Sequence, residues 1–150
     1  MNLHLNVMVQ QTMADLIAAY EMSVVEVSES EVLLKSKNYF IDIFADKEGV
    51  GLVYFDKMSR PVKGYNLFLY LVNRRRSLLV FSESQAQAEN YAEFIEDQLV
   101  NLARHLRTAG QDILGGAKDW IEEYTWPTVF PDQVVNQHVR WRAELSETGV

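Results

Sequence analysis

The sequence predicts an α+β domain in which an antiparallel sheet carries one long helix on one face. Short apolar runs separated by turn residues occupy residues 31–83, which is typical of strands and hairpins. A long amphipathic pattern follows at residues 84–107. Strands followed by helices favour segregated layers over alternating β-α units. The 150 residues fit one domain, 1–150, because no repeat or linker divides them.

The first predicted element is one helix from Val9 to Met22. Thr12 is a residue type that caps helix starts, so a late start at this position is also compatible with the pattern. Apolar side chains recur three and four positions apart, as on one face of an amphipathic helix. These residues are Met13, Leu16, Ile17 and Tyr20.

A meander of four to five strands is predicted to follow. The segment EVLLKSK, which begins at Glu31, is the first strand, and NYFIDIFA is the second. Alternate residues of a strand point to opposite sides of the sheet, so Tyr39, Ile41 and Ile43 share one side.

Asp42 lies between Phe40 and Phe44 on the other side of the second strand. If the long helix covers that side, Asp42 is buried and needs polar partners, because a buried carboxylate without partners is costly. If that side is open, two phenylalanines flanking an acid form a binding surface.

The segment Asp46–Gly49 predicts a type I turn that closes a hairpin, with glycine at the left-handed position. Val50–Asp56 is the returning strand, in which Gly51 indicates a bulge or the close approach of another element. Lys57–Gly64 is predicted to be a loop because Pro61 and Gly64 break the periodicity.

The run Tyr65–Asn73 fits a buried strand or a helix. Its shortness and aromatic content favour the strand. Ser77–Glu83 is predicted as a further strand. The basic cluster Asn73–Ser77 between them is expected to form a strand-to-strand turn that makes salt bridges to nearby acids.

The clearest pattern predicts one long amphipathic helix from Ser84 to Arg107, packed across the sheet. Ser84 is a candidate N-cap, and Gln87 completes a capping box with it. Gly110 suits the position after the helix end, where Arg107 complements the helix dipole.

The C-terminal region is predicted to contain a short helix and an arm. Gly115 and Gly116 let the chain turn between two helices, the second of which covers Ala117–Tyr124. Prolines in the segment Trp126–Pro131 end that helix. The remaining tail contains apolar residues that fit a final strand or an irregular arm; these are Val134, Val135, Val139 and Trp141.

Composition excludes several kinds of site. The chain has no cysteine, which rules out disulfides and thiolate metal sites. His4, His105 and His138 do not fall in metal-ligand spacings, so we expect no metal and no cofactor, with His105 half-exposed at the helix surface. No leader-like segment or membrane-length apolar run is evident, which favours a soluble, cytoplasmic protein without membrane contact. No catalytic motif is present, so we expect a non-enzyme.

The charges fall in blocks. Residues 1–34 and 82–99 contain acids without Lys or Arg, and residues 57–76 contain bases without acids. The blocks either complement one another within the fold or polarise the surface and steer a charged partner. The net charge of −7 disfavours direct nucleic-acid binding.

Acids and aromatic residues form the candidate partner-binding surface. The acids of the long helix are expected on a solvated face. The aromatics of the segment DWIEEYTW either anchor a short helix to the body or contact a partner, since Trp and Tyr dominate binding energy at interfaces. The candidate residues are Glu89, Glu93, Glu96, Asp97, Asp119, Trp120, Glu122, Glu123, Tyr124 and Trp126.

The hairpin YFIDIFADKEGVGLVYF, the long helix after it and the segment LRTAGQDILGG resemble, in layout, small bacterial immunity proteins that neutralise toxins delivered between competing cells. The resemblance covers residues 39–116. It implies a non-catalytic inhibitor of a cognate toxin protein, and an acidic inhibitor associates quickly with a basic, nuclease-type toxin.

Two alternatives remain open at this point. One is a small acidic adaptor that resembles a dimeric type III secretion chaperone and binds an extended client segment. The other is a regulatory domain that binds a small molecule in a pocket between sheet and helix. The residues expected to line such a pocket are Tyr39, Tyr54, Phe68 and Tyr91.

Overall fold

The computed structural model describes residues 3–59, 61–79 and 90–130 and has the predicted α+β class. Within these residues, five strands and five α-helices follow one another, with short 3₁₀ helices at Arg76–Leu78 and Asp119–Glu123. In chain order they are α1 Leu5–Thr12, α2 Ala14–Ala19, β1 Ser23–Ser28, β2 Glu31–Lys35, β3 Tyr39–Asp46, β4 Gly49–Asp56, β5 Gly64–Asn66, α3 Leu67–Arg74, α4 Tyr91–Ala109 and α5 Gln111–Leu114.

The sheet is an antiparallel meander in the sequential order β1-β2-β3-β4-β5. The predicted β3–β4 hairpin is confirmed, with Asp46 paired to Gly49 across a tight turn. Gly49 has a φ of 132°, which a residue with a side chain adopts only under strain. The predicted close approach at Gly51 is also confirmed, because the Phe44 ring occupies the space where a Cβ would stand.

The N-terminal helix prediction is wrong in its boundaries. The chain forms α1 and α2 with a break at Met13, whose φ of −120° interrupts the helix. Thr12 ends α1 instead of capping a start, and its hydroxyl donates to the Met8 carbonyl oxygen at 2.9 Å. The predicted apolar face is nevertheless buried at Met13 and Leu16. Periodicity identified the buried face but did not reveal the break.

Helices cover one side of the sheet, which we call the first face. Ile41 and Tyr54 of the sheet belong to this core, together with Ile95 and Leu99 of α4. α4 contacts β4 and also α1 and α3, so it crosses the sheet between α1 and α3. The long helix packed across a sheet is therefore confirmed.

The second face carries its own apolar cluster, formed by Leu33, Phe40, Val53, Phe55 and Val62. Asp42 lies on this face, because its cross-strand partners are Leu33 and Val53. It is 0% exposed, although the long helix lies on the other face. Asp42 is therefore buried, as in the first of the two alternatives, but the long helix does not cover it. The second alternative, an open face on which Asp42 is exposed, is wrong.

The preferred interpretation of Tyr65–Asn73 as a strand is wrong. Only Gly64–Asn66 forms β5, and α3 begins at Leu67. Asn66 caps this helix by accepting a hydrogen bond from the Leu69 N–H at 3.0 Å. Buried residues recur at helical spacing in α3; they are Leu67, Tyr70 and Leu71. The strand predicted at Ser77–Glu83 begins instead in a 3₁₀ helix, and its remainder from residue 80 lies outside the described residues.

α4 has a different N-cap from the one predicted. Asn90 accepts a hydrogen bond from the Glu93 N–H at 2.9 Å, and the helix starts at Tyr91. Ser84 and Gln87 lie outside the described residues. The predicted end near Gly110 is confirmed, since α4 ends at Ala109.

We expect Asn90→Ala to lower the free energy of unfolding by about 1 kcal/mol, because it removes the acceptor for an orphan N–H at the helix start. Asn90→Asp keeps the acceptor and is expected to match the wild type in a urea titration followed by circular dichroism. Equal stability of all three proteins would show that this cap contributes nothing.

The predicted second C-terminal helix is a 3₁₀ helix at Asp119–Glu123, preceded by the unpredicted α5. Gly116, with a φ of 108°, ends α5 and turns the chain as the glycine pair predicts. Val129 then pairs with Gly64 at the edge of the sheet. The tail from residue 131, with its predicted strand or arm, lies outside the described residues.

Candidate functional site

The predicted partner-binding residues of α4 lie at the surface. Glu93 and Glu96 are exposed and Asp97 is half-exposed, as expected for a solvated helix face. Glu89 lies outside the described residues. The three described acids occupy the first two turns of α4.

Trp120 cannot contribute to a surface, because its side chain is 1% exposed. Its indole packs edge-on against Tyr54, with ring centroids 5.1 Å apart, and against Tyr65 at 5.6 Å. Tyr70 lies 5.0 Å away on a third side. The assignment of Trp120 to a partner-binding surface is therefore corrected: this side chain belongs to the core.

The neighbours of Trp120 also make contacts within the fold. The Tyr124 hydroxyl accepts from the Asn66 N–H at 2.9 Å. Glu123 accepts a hydrogen bond from the Tyr70 hydroxyl at 2.8 Å. Trp126 receives the Arg74 guanidinium 5.8 Å from its ring centroid. All three acids of the segment, Asp119, Glu122 and Glu123, are exposed. The contacts of Tyr124, Glu123 and Trp126 agree with the interpretation that this segment is anchored to the body.

The two halves of the predicted surface lie at opposite ends of the sheet. The Val50 N–H, at the start of β4, donates to Oε1 of Gln98 in α4 at 2.8 Å. Asp56, at the end of β4, pairs with Lys118 at 3.0 Å. β4 has eight residues, which corresponds to roughly 26 Å of strand. A single small partner contact therefore does not span both halves.

Four chain segments meet at the α4 end of the molecule. The Leu5 N–H of α1 donates to the Glu29 carbonyl at 3.0 Å, and the Ala45 N–H donates to the Ser30 carbonyl at 2.9 Å. The Tyr91 hydroxyl donates to the Asp46 carbonyl at 2.7 Å. These bonds join the β1–β2 turn, the β3–β4 turn and the starts of α1 and α4.

We call this region the acidic end. Its carboxylates come from two turns and the start of α4, and the β3–β4 turn also carries Lys47. The sequence pattern indicates the α4 acids but not those of the turns, because only the sheet register brings these segments together. The acidic end comprises Glu29, Asp46, Glu48, Glu93, Glu96 and Asp97.

The ion pairs bear on the two interpretations of the charge blocks. Arg75 pairs with Asp112, Arg107 with Asp15, and Lys118 with Asp56. None of these three pairs joins the basic block to either acidic block. These three pairs therefore do not support the interpretation that the charge blocks neutralise one another within the fold. The acids of the two turns and of α4 lie together at the acidic end.

The basic cluster Asn73–Ser77 spans the last residues of α3 and the start of the 3₁₀ helix Arg76–Leu78, so its assignment to a strand-to-strand turn is wrong, but its predicted salt bridge is present. Arg75 forms two hydrogen bonds with the Asp112 carboxylate, at 2.5 and 3.0 Å, and a third with the Ala109 carbonyl. The guanidinium lowers the pKa of Asp112. Arg75 thereby ties the end of α3 to the ends of α4 and α5.

The expectation for His105 is wrong, because its side chain is 2% exposed and stacks on Phe68, with centroids 6.1 Å apart. Within residues 3–59, 61–79 and 90–130, no group of three potential metal ligands occurs. In the same ranges, no helix combines the length and apolar character that a membrane crossing requires.

The predicted aromatic pocket does not form. Tyr39 and Tyr54 stack in the core with centroids 5.1 Å apart, Phe68 is 39% exposed, and Tyr91 lies at the acidic end. A cleft of about 280 Å³ lies elsewhere, between the end of α2, the β2–β3 turn and the end of α5. Gly115 and Gly116 line it, a proximity that no sequence pattern indicated.

The comparisons with known proteins identified no relative of this chain. Neither the family models, nor the curated proteins, nor the solved structures contain a match to this chain.

Proposed function

We propose that this protein is a non-catalytic inhibitor that binds a basic partner protein through the acidic end. The observation that supports this proposal is the convergence of six carboxylates from three separate segments on one end of the sheet. Like charges placed side by side repel one another. A basic partner surface relieves that repulsion and gains complementary contacts.

The expected advantage of such a surface is the speed of association. A concentrated charge of one sign steers an oppositely charged protein and raises the association rate by factors of about 10–10³ at low salt. Because the Debye length is about 8 Å at physiological ionic strength, the effect weakens as salt rises. Binding through the acidic end should therefore depend strongly on ionic strength.

The layout resemblance to immunity proteins makes a cognate bacterial toxin the partner that we propose. A nuclease-type toxin is basic because its substrate is a polyanion, and this charge complements the acidic end. We propose that the inhibitor acts in the cytoplasm, where such a toxin meets its substrate. Direct nucleic-acid or membrane binding is not part of the proposal.

The proposal is tested by purifying the tagged protein from its native host at low salt and assaying the partner that co-elutes. We expect a stoichiometric basic protein that dissociates as salt rises and whose toxic activity is inhibited in the complex. A protein that elutes alone, or as a stable dimer holding an extended acidic or neutral client, would refute the toxin inhibitor and favour the adaptor.

We expect Glu48→Gln/Glu96→Gln to slow association with that partner by about tenfold at low salt and to change dissociation little. Both side chains are exposed, so stability should change by less than about 0.5 kcal/mol. The matched control, Asp119→Asn/Glu122→Gln, removes the same charge at the other end of the sheet. Equal slowing by both variants would show that net charge, and not the acidic end, governs association.

A further inference from the structure

The cleft between α2, the β2–β3 turn and α5 lies far from the acidic end and is independent of the proposed function. Its volume of about 280 Å³ is near the lower limit of small-molecule sites, which measure about 300–1,000 Å³. Tyr39 forms one wall and donates from its hydroxyl to the Leu114 carbonyl at 2.7 Å. This bond fixes the β2–β3 side of the cleft to the α5 side.

Two helix ends of the same type border the cleft. At the end of α5, the Gly116 N–H donates to Ile113 and the Ala117 N–H to Asp112, which is the bond pattern of a Schellman motif. At the end of α2, the Glu21 N–H donates to Ala18 and the Met22 N–H to Ile17 in the same pattern.

The two motifs differ in the residue at the left-handed position. Gly116 takes that position in one motif, and Glu21, with a φ of 52°, takes it in the other. A side chain in this conformation costs about 1–2 kcal/mol, which glycine avoids. Glu21 thus lies at a position where glycine would make the folded protein more stable, and it also lines the cleft.

Lys37 brings the opposite charge to the same cleft from the β2–β3 turn. Within the part of the chain that the structure describes, no ion pair joins Glu21 and Lys37. Tyr20, Ser36 and Asn38 also line the cleft. The cleft therefore presents one negative and one positive group, separated, around a small polar space.

We propose that this cleft binds a free α-amino acid. Its ammonium group pairs with the Glu21 carboxylate, and its carboxylate pairs with the Lys37 ammonium. The volume limits the ligand to the size of one amino acid.

The test is calorimetric titration of the whole protein with each free amino acid, with the matching N-acetyl amino acids and amino acid amides in parallel. We expect at least one free amino acid to bind, and the two analogues, which each lack one charge, to bind at least tenfold more weakly. No binding at millimolar concentration, or equal binding of an analogue, would overturn the proposal.

The variant Glu21→Gly separates binding from folding. It removes the carboxylate and relieves the strained φ, so we expect a higher thermal midpoint together with loss of amino acid binding. Lys37→Met should lose binding as well, whereas Lys47→Met in the β3–β4 turn should retain it. Unchanged affinity in Glu21→Gly would overturn the proposal, and because that variant is expected to fold better, misfolding would not explain a loss.

Discussion

Replacing Trp120 by alanine is expected to lower the free energy of unfolding by about 3–5 kcal/mol, the range for large aromatic residues deleted from a core. The indole is 1% exposed and contacts three tyrosine rings, so its removal leaves a cavity bordered by β4, β5 and α3. Edge-on aromatic pairs add about 0.5–1.5 kcal/mol each beyond the area they bury. Urea unfolding followed by circular dichroism measures this loss.

Trp126→Ala is the matched control, since this indole is half-buried and contacts Arg74 at a cation–π distance. We expect it to cost about 1 kcal/mol. If Trp120→Ala kept wild-type stability and instead abolished partner binding, the ring would have to be at the surface. That result would contradict its place in the core and restore the interface interpretation of the DWIEEYTW segment.

The contrast between Trp120 and the α4 acids shows what the sequence of a helix can and cannot predict. In α4, the apolar residues recur every 3.6 residues along a long helix. This pattern distinguishes buried positions such as Ile95 and Leu99 from the exposed Glu93 and Glu96. The segment Asp119–Glu123 is a single short 3₁₀ helix, with too few turns to define a face. Its orientation is set by the tyrosines it meets, which come from distant strands and helices.

Local capping explains the other errors. The run Leu67–Val72 after β5 consists of apolar residues, so its sequence shows no polar face. The Asn66 cap and the burial of Tyr70 against Trp120 favour the helix there. Conversely, the buried apolar positions Val9, Met13 and Leu16 keep helical spacing across the break at Met13, which only the backbone reveals. Hairpins were predictable because the turn residues between Asp46 and Gly49 act locally.

The candidate sites were less predictable than the fold, because each depends on segments that are distant in sequence. The acidic end joins Glu29, Asp46 and Tyr91 through the sheet register. The cleft joins Glu21, Lys37 and Gly116 through three turns. The charge blocks indicated a polarised surface, but they did not indicate that the β1–β2 and β3–β4 turns contribute carboxylates to the acidic end.

Asp42→Asn is expected to raise the free energy of unfolding at pH 8 by about 1–3 kcal/mol, because the amide stays neutral whereas the buried carboxyl group must either ionise in the core or take up a proton on folding. Asp42 is 0% exposed, and the Glu31 carboxyl group is its acidic neighbour. Burial, and then the adjacent Glu31 carboxyl group, raise the pKa of Asp42 well above its ordinary value of 3.8. Ionisation at pH 8 therefore opposes folding.

The sign of the pH dependence follows from this raised pKa. The folded state holds the Asp42 proton more tightly than the unfolded chain does, so the contribution of Asp42 is fully present below pH 3.8 and is lost as pH rises through the folded-state pKa. Asp15 acts in the opposite direction. Arg107 lowers its pKa to about 2, so its contribution is present above pH 3.8 and is lost as pH falls toward 2.

Because Asp15 is unchanged in the variant, the difference in stability between Asp42→Asn and the wild type isolates Asp42. We expect this difference to be small at pH 3, where the Asp42 carboxyl group is largely protonated in both the folded and the unfolded chain, and to grow as the pH rises above 3.8. Glu96→Gln, an exposed substitution, should show a small difference at every pH. A difference for Asp42→Asn that stays constant over this range would mean that Asp42 ionises equally in the folded and unfolded chains. The second face of the sheet would then supply it with a compensating partner.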